Sequence, residues 1–248
     1  MIVAAWRTLL LTTGAFFFRF RNFLFPAFVI ILLVFTKPAL FLGRRDLDAI
    51  IVTFGFLVAM LGIFFRLFVI GFAYIKRGGK DGRVYADNLV IEGVYAHVRN
   101  PMYVANFFNI VGIALIYGSF WVYVLVIPFF TYVYLAIVTT EENYLHKRFG
   151  AEFETYCKAV NRFIPNFSGI KQTLGKFSYD WTKALRKEYG TTFGVLLGCY
   201  VMWLRKMYSF YGATFSRHTV FFAVAPVVFL VLLYSFVRYL KKSGRLSS

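Results

Sequence analysis

Long apolar stretches alternate with short polar segments along most of the chain. The apolar stretches cover residues 23–43, 49–75, 102–117, 120–140 and 219–237. An α-helix needs roughly 20 apolar residues to cross the hydrocarbon core of a bilayer. The pattern therefore predicts an all-α protein, a polytopic membrane helical bundle with about five transmembrane helices.

Two further apolar regions are harder to place. Residues 1–20 are interrupted by Arg7 and Arg19 and have no small-residue cleavage site after them. We expect an amphipathic or partly inserted helix there, not a cleaved signal. Residues 191–204 are short for a span, so a re-entrant, an interfacial and a tilted crossing segment all stay open. Six spans is the main alternative to five.

The third and fourth apolar stretches are separated only by Gly118 and Ser119. So short a joint predicts an antiparallel helical hairpin.

Two polar segments, residues 76–100 and 141–186, are separated by an even number of crossings and share one side of the membrane. Both are rich in Lys and Arg, and the positive-inside rule places them in the cytoplasm. With five spans, the basic tail that carries Lys241, Lys242 and Arg245 would lie outside. That conflict with the same rule keeps six spans open.

The composition agrees with a membrane protein, because 60% of the residues are hydrophobic and only 16% are charged. The net charge of +17 comes mainly from basic residues beside apolar spans. We therefore expect anionic membrane lipids as partners and no nucleic acid.

Metal and disulfide chemistry find little support in the sequence. Cys157 and Cys199 show no CxxC spacing, and His97, His146 and His218 lack metal-ligand spacing. We assign no metal, and His97 is only a weak candidate for a general base.

Five short motifs follow one another in the middle of the chain. They are NLVIEGVY (88–95), RNPMY (99–103), EENYL (141–145), FGAEFETY (149–156) and VNRFIP (160–165). Together they resemble the integral membrane family of isoprenylcysteine carboxyl methyltransferases and phospholipid methyltransferases, whose pattern is LVxxGxY, RHPxY, a hydrophobic hairpin, EExxL and FGxxYxxY. Each motif alone is weak, but their order and spacing agree. One departure is Asn100, where the family often has His.

The resemblance implies S-adenosylmethionine as cofactor, bound by a cytoplasmic segment. It implies that Glu141 and Glu142 meet the cofactor's ammonium group. The other implied cofactor-binding residues are Asn88, Leu89, Val90, Tyr95, Asn100, Pro101, Met102 and Tyr103. No catalytic residue is assigned, because a sulfonium methyl group needs little acid–base help when the acceptor is already nucleophilic.

The resemblance also divides the chain. We expect N-terminal membrane helices in residues 1–79 and a methyltransferase core with the hairpin in residues 80–166. Residues 167–248 would hold an interface helix, over 171–189, and the last membrane span or spans. A homo-oligomer formed through these C-terminal helices is an open alternative.

Plainer explanations exist for each motif. Glu141 and Glu142 also fit solvated charges at the end of a span, and Tyr95 and Tyr103 fit interfacial aromatics. The run 99–101 also fits a basic anchor with Asn as helix cap and Pro as first helical residue.

The methyl acceptor is the least determined feature. Prenylcysteine methyltransferases carry, as the resemblance implies, an Arg near the end of the hairpin, whereas residues 129–140 here contain no Arg or Lys. An amine-bearing lipid, entering laterally from the bilayer, is therefore the first choice, and a prenylcysteine carboxylate the second. The rival functions are an NADPH-dependent membrane sterol-type reductase and a non-catalytic membrane relative.

Overall fold

The computed structural model describes residues 2–72, 84–212 and 217–246. These residues form eight α-helices and no β-strand, so the all-α class is confirmed. The helices are α1 (Ile2–Phe35), α2 (Arg45–Phe72), α3 (Pro101–Tyr117), α4 (Ile127–Phe149), α5 (Ala151–Ala159), α6 (Ile170–Leu174), α7 (Trp181–Tyr211) and α8 (Arg217–Lys242).

Three stretches of the described helices are long and apolar enough to cross a membrane. They are Arg45–Phe72, Val122–Phe149 and Phe221–Lys242, and α3 is a shorter apolar helix. The chain is thus an integral membrane protein with a helical architecture. The number of spans stays a prediction.

The N-terminal region differs from the expectation. One continuous helix of 34 residues, α1, replaces the separate amphipathic helix and first span. Pro26 lies inside this helix, which ends at Phe35, shortly before Pro38. A proline can stay within a helix when neighbouring groups satisfy the freed carbonyl, whereas the residue before a proline is disfavoured in helical conformation.

The predicted hairpin is present. Gly118, with a φ of 67°, follows α3, and helical structure resumes at Phe120. Residues Val122–Val126 are π-helical, and Pro128 lies two residues after Val126. Because a proline has no N–H to donate, it disturbs the regular hydrogen-bond ladder at this point.

The region after Pro165 also differs from the expectation. Residues 171–189 do not form one interface helix: α6 ends at Leu174, and α7 begins at Trp181. Asp180 caps α7, because its carboxylate accepts a hydrogen bond from the Lys183 N–H at 2.8 Å. Residues 191–204, too short to place from sequence, lie inside this 31-residue helix.

The chain forms two compact units from interleaved segments. The first contains Met1–Phe35, Phe72–Val104 and Pro128–Ser178, and the second contains Thr36–Gly71, Ala105–Ile127 and Tyr179–Ser248. The expected boundary between residues 79 and 80 lies outside the described residues, as do the end of the second apolar stretch and the start of the first polar segment. The expected three-part division stays a prediction.

In the first unit, α1 packs closely against α4. A Cβ on Gly14 would lie 2.1 Å from the Ala136 carbonyl oxygen, so only glycine allows this approach. Phe18, Val133 and Ile137 form the buried cluster beside it.

In the second unit, small residues bring α2 and α3 together. A Cβ on Gly112 would lie 2.6 Å from both the Ala59 nitrogen and the Gly55 oxygen, and a Cβ on Gly62 would lie 2.7 Å from the Ala105 oxygen. Such spacing is typical of helix contacts within membranes, where close backbone approach replaces the hydrophobic effect as the source of packing energy.

Candidate functional site

The end of α4 and the start of α3 meet in the first unit. The Tyr103 hydroxyl donates a hydrogen bond of 2.7 Å to Glu141 Oε1. Arg21 of α1, whose guanidinium lies 4.3 Å from the centre of the Phe18 ring, is near enough to Glu141 to attract it electrostatically. A residue of the RNPMY motif and one of the EENYL motif are therefore in contact.

Glu142 has a different set of partners, because adjacent residues of a helix project about 100° apart. Its Oε1 accepts a hydrogen bond of 3.0 Å from Asn100 Nδ2. Its Oε2 lies 2.9 Å from Arg162 Nε, and Arg99 Nε lies 3.8 Å from Oε1. Two guanidinium groups thus compensate the charge of Glu142.

Backbone hydrogen bonds hold the segment that supplies Arg162 against the segment before α3. The Arg99 N–H donates to the Asn161 carbonyl at 2.9 Å, and the Asn166 N–H donates to the His97 carbonyl at 2.9 Å. Asn100 Nδ2 also donates to the Arg162 carbonyl, at 3.2 Å. These contacts fix the VNRFIP motif beside the acidic pair.

Helix α5 contacts the segment before α3, in the NLVIEGVY motif. Tyr156 is buried, and its hydroxyl donates a hydrogen bond of 2.7 Å to the Tyr95 carbonyl. Burial raises the pKa of Tyr156, because the phenolate would lose its hydration. The FGAEFETY motif therefore holds the NLVIEGVY motif in place.

His97 is buried and joined to this framework through both ring nitrogens. Nδ1 lies 2.7 Å from the Asn166 carbonyl oxygen, and Nε2 lies 3.0 Å from Thr173 Oγ1. Because a carbonyl oxygen can only accept, Nδ1 is the donor in the first contact. The geometry favours a structural role over the general base considered from the sequence.

The remaining expected site residues surround these contacts. Pro101 begins α3 and is fully buried, and Met102 is half-buried. Asn88 is exposed, and Leu89 and Val90 are half-buried, in an irregular segment before the turn Gly93–Ala96. Gly93 has a φ of 62°, which glycine adopts without strain, and a Cβ there would lie 3.1 Å from the Phe72 carbonyl oxygen.

Arg99 and Arg162 lie in the RNPMY and VNRFIP motifs, but neither was among the cofactor-binding residues expected from the sequence. Arg162 Nη2 donates a hydrogen bond of 2.9 Å to Thr139 Oγ1, at the end of the hairpin. The expectation that this end has no cation is therefore wrong. The only sequence signal was an Arg inside the VNRFIP motif, 20 residues beyond Glu142.

Both arginines keep hydrogen-bonding capacity. The Nε atoms of Arg99 and Arg162 are buried, and in the described part of the chain neither has a hydrogen-bond partner with acceptable geometry. The 2.9 Å approach of Arg162 Nε to Glu142 is therefore an ion pair whose N–H is poorly aligned for a hydrogen bond to the carboxylate. The site combines a carboxylate that accepts from Tyr103 with two N–H groups that can take a further acceptor.

Within the described residues, no group of three or more His, Cys, Asp and Glu side chains is arranged to hold a metal ion.

Comparison with known proteins gives partial matches over the same region. Residues 50–152 match the family described as phospholipid methyltransferase. The protein-S-isoprenylcysteine O-methyltransferase of Schizosaccharomyces pombe is 38% identical over 77 residues, which are 31% of this chain and 33% of that protein. The nickel-cobalt-cadmium resistance protein NccN of Alcaligenes xylosoxydans xylosoxydans is 32% identical over 80 residues, which are 32% of this chain and 37% of that protein.

A third relative is the cobalt-zinc-cadmium resistance protein CzcN of Cupriavidus metallidurans, 32% identical over 82 residues, which are 33% of this chain and 38% of that protein. The chain spans only about a third of the length of these curated relatives. No solved structure gives a significant match. The match to the family described as phospholipid methyltransferase contains α3, α4 and the acidic pair.

Proposed function

We propose that this chain is an S-adenosylmethionine-dependent methyltransferase that acts on a lipid or lipophilic acceptor, with its cofactor site on the cytoplasmic face. The observation that carries the proposal is the pair of contacts Tyr103–Glu141 and Asn100–Glu142. They join the two halves of the methyltransferase motif around one acidic pair.

The two carboxylates fit different tasks. An ionised carboxylate can accept about four hydrogen bonds. Glu141 accepts from the Tyr103 hydroxyl, and this leaves capacity for the ammonium group of the cofactor's amino-acid end. Glu142 is compensated by Arg162 and Arg99, so it orients these side chains. We therefore assign the ammonium to Glu141 and a positioning role to Glu142.

The two arginines suit the carboxylate of the cofactor's amino-acid end, whose charge is opposite to that of the ammonium. The buried Nε atoms of Arg99 and Arg162 need an acceptor, and a carboxylate provides one. The cofactor's amino-acid end carries an ammonium and a carboxylate together. The remaining proposed contacts come from Asn88, Leu89, Val90, Tyr95, Asn100, Pro101, Met102 and Tyr103.

When bound, S-adenosylmethionine supplies a methyl group on a sulfonium centre. The residues of this chain would hold it in line with the acceptor and exclude water from the apolar surroundings of α3 and α4. An amine-bearing lipid stays the first choice of acceptor. Although Arg162 lies at the hairpin end, it is paired with Glu142 and is proposed to take the cofactor's carboxylate, so a substrate carboxylate would have to compete with both.

Calorimetry of the purified full chain with S-adenosylhomocysteine and with S-adenosylmethionine tests the cofactor assignment. The parent should bind both, and Glu141→Gln should weaken binding by about 2 to 5 kcal/mol, the usual cost of removing one partner of a desolvated charge pair. Glu152→Gln is the matched control, because Glu152 is exposed on α5. Equal binding by the parent and Glu141→Gln would refute the role of Glu141.

A reduced nicotinamide cofactor in the same titration separates the rival functions. Binding of NADPH with no binding of S-adenosylmethionine would replace the proposal with the reductase. Binding of neither would favour a non-catalytic membrane relative.

A further inference from the structure

Two buried ion pairs join α2 and α7 in the second unit. Arg66 Nε lies 2.7 Å from Glu188 Oε2, and Lys206 Nζ lies 2.6 Å from Asp48 Oδ1. All four side chains are at most 10% exposed. Asn106 also contacts Arg66, and the Phe41 N–H donates to Asp48 at 3.1 Å. A buried charge left unpaired is costly, so these contacts fix how the two helices face each other.

The spacing of the pairs gives the direction of α7. The pairs are 18 residues apart on α2, from 48 to 66, and 18 residues apart on α7, from 188 to 206. At 1.5 Å per residue this is about 27 Å, close to the thickness of a hydrocarbon core. Helix α7 therefore runs antiparallel to α2, a candidate membrane span, over the interval between the two pairs.

The same pairs explain why composition does not identify α7 as a span. Its interior, residues 189–204, contains no charged residue, but Glu188, Arg205 and Lys206 border it and lower the mean hydropathy. Since Glu188 and Lys206 are neutralised by partners on α2, their charges do not meet lipid.

Helix α8 then returns along α7. The Tyr189 and Tyr234 rings stack with centroids 5.3 Å apart, and the Tyr200 hydroxyl donates to the Ala223 carbonyl at 3.0 Å. The end of α8 therefore lies at the start of α7, where Lys241 Nζ is 5.0 Å from the centre of the Tyr189 ring. The Asp180 N–H donates to the Gly71 carbonyl at 3.1 Å, so this is also the end at which α2 finishes.

Basic residues gather at this end of the second unit. They are Lys183, Arg186 and Lys187 on α7 and Arg238, Lys241, Lys242 and Arg245 at and after the end of α8. Residues 217–246 contain no Asp or Glu, and Glu188 is already paired with Arg66. Trp181 and Tyr239, both exposed, add aromatic side chains of the kind that lie at headgroup level.

We propose that α7 crosses the membrane as a charge-compensated span, and that the start of α7 and the end of α8 form a surface that binds anionic phospholipid headgroups on the side where α2 ends. The partner follows from charge complementarity between this basic surface and an anionic leaflet. The basic tail then lies on the same side as the polar segment that follows α2, which removes the conflict with the positive-inside rule. The proposal does not depend on the methyl donor.

Labelling of single cysteines with an impermeant thiol reagent tests the crossing. Cysteine is placed at Ser178, Ser209 or Ser243, all exposed, in a full-length chain whose Cys157 and Cys199 are replaced by Ala. We expect Ser178→Cys and Ser243→Cys to react from one face and Ser209→Cys from the other, with equal labelling of all three after detergent. Any other sidedness overturns the crossing.

Native mass spectrometry of the detergent-purified chain, with phosphatidylglycerol or phosphatidylcholine added, tests the surface. Each basic residue near an anionic surface adds about five-fold in affinity, so the triple variant Lys241→Gln, Lys242→Gln, Arg245→Gln should bind phosphatidylglycerol at least about ten-fold more weakly. The control triple Lys147→Gln, Lys158→Gln, Lys171→Gln changes the charge equally at exposed positions of the first unit and should bind as the parent does. Unchanged binding by the first triple, or an equal loss in the control, overturns the surface.

Discussion

Asn100 donates hydrogen bonds from Nδ2 to Glu142 Oε1 at 3.0 Å and to the Arg162 carbonyl at 3.2 Å. Both partners can only accept, so the nitrogen of the amide must face them. Asn100 is the position at which the resembled motif often has His, and a His N–H would offer the same donor. Asn100 therefore supplies a hydrogen-bond donor that a His at this position could also supply.

Two substitutions of Asn100 should separate this role from the size of the side chain. Asn100→His should keep binding of S-adenosylhomocysteine within about three-fold, because an N–H can still reach Glu142. Asn100→Asp places two carboxylates together in a buried position and should weaken binding about a hundred-fold, since like charges there cost several kcal/mol. Calorimetry on both variants makes the comparison. Equal binding by Asp and His variants would show that the donor is irrelevant.

The ion pair between Glu142 and Arg162 should appear as an energetic coupling in stability. We expect Glu142→Gln and Arg162→Gln each to lower thermal stability in detergent, and the double variant to lose less than the sum. The coupling should be about 0.5 to 3 kcal/mol, as for residues in one network. The pair Glu154 and His146, which is about half exposed, is the control and should show little coupling. Additive losses for Glu142 and Arg162 would mean that the pair contributes nothing beyond its separate parts.

Local patterns predicted the hairpin, because Gly118 and the apolar runs beside it determine a short reversal, and the resemblance assigned the motifs at its two ends to one cofactor. The position of Arg162 could not be predicted, since the backbone contacts that place it join Arg99 to Asn161 across 62 residues. The length of α7 was missed because mean hydropathy counts Glu188 and Lys206 as charged. Their partners, Arg66 and Asp48, are 122 and 158 residues away in sequence.

The contact between α2 and α3 should depend on glycine at one position. Gly112→Ala puts a Cβ 2.6 Å from backbone atoms of Ala59 and Gly55, which cannot rotate away. We expect destabilisation of about 1 to 3 kcal/mol, the usual cost of overpacking. Gly194→Ala on α7 is the control, because a Cβ there meets no atom within 4 Å. In one detergent, the midpoint temperature of thermal unfolding of Gly112→Ala should lie well below that of the parent. The midpoint of Gly194→Ala should equal or exceed that of the parent. The reverse order would contradict the packing.

Removal of the Tyr156 hydroxyl should change both stability and its dependence on pH. Tyr156→Phe loses the hydrogen bond to the Tyr95 carbonyl and should cost about 1 kcal/mol near pH 8. Burial raises the pKa of Tyr156 above that of the unfolded chain, so its contribution is complete below about pH 10 and is lost as the pH rises further. The parent should therefore lose more stability than Tyr156→Phe between about pH 10 and pH 12. Denaturation midpoints across this range, with exposed Tyr239→Phe as control, measure the effect. Parallel curves for the parent and Tyr156→Phe would contradict it.

The choice of methyl acceptor follows from the balance of charge around Glu142. A site for a substrate carboxylate needs a cation that is not already engaged, whereas Arg162 pairs with Glu142, contacts Thr139 and is proposed to take the cofactor's carboxylate. An amine must instead lose its proton before it can attack, and an apolar setting favours the neutral form. Incubation with tritiated S-adenosylmethionine should therefore label native lipid extract and leave a farnesylcysteine analogue unlabelled. Base-labile methyl ester on the analogue, with no label in lipid, would reverse the choice of acceptor and leave the cofactor assignment standing. In that case Arg162→Gln should abolish the ester while S-adenosylhomocysteine still binds, because the cation would then serve the acceptor and not the cofactor.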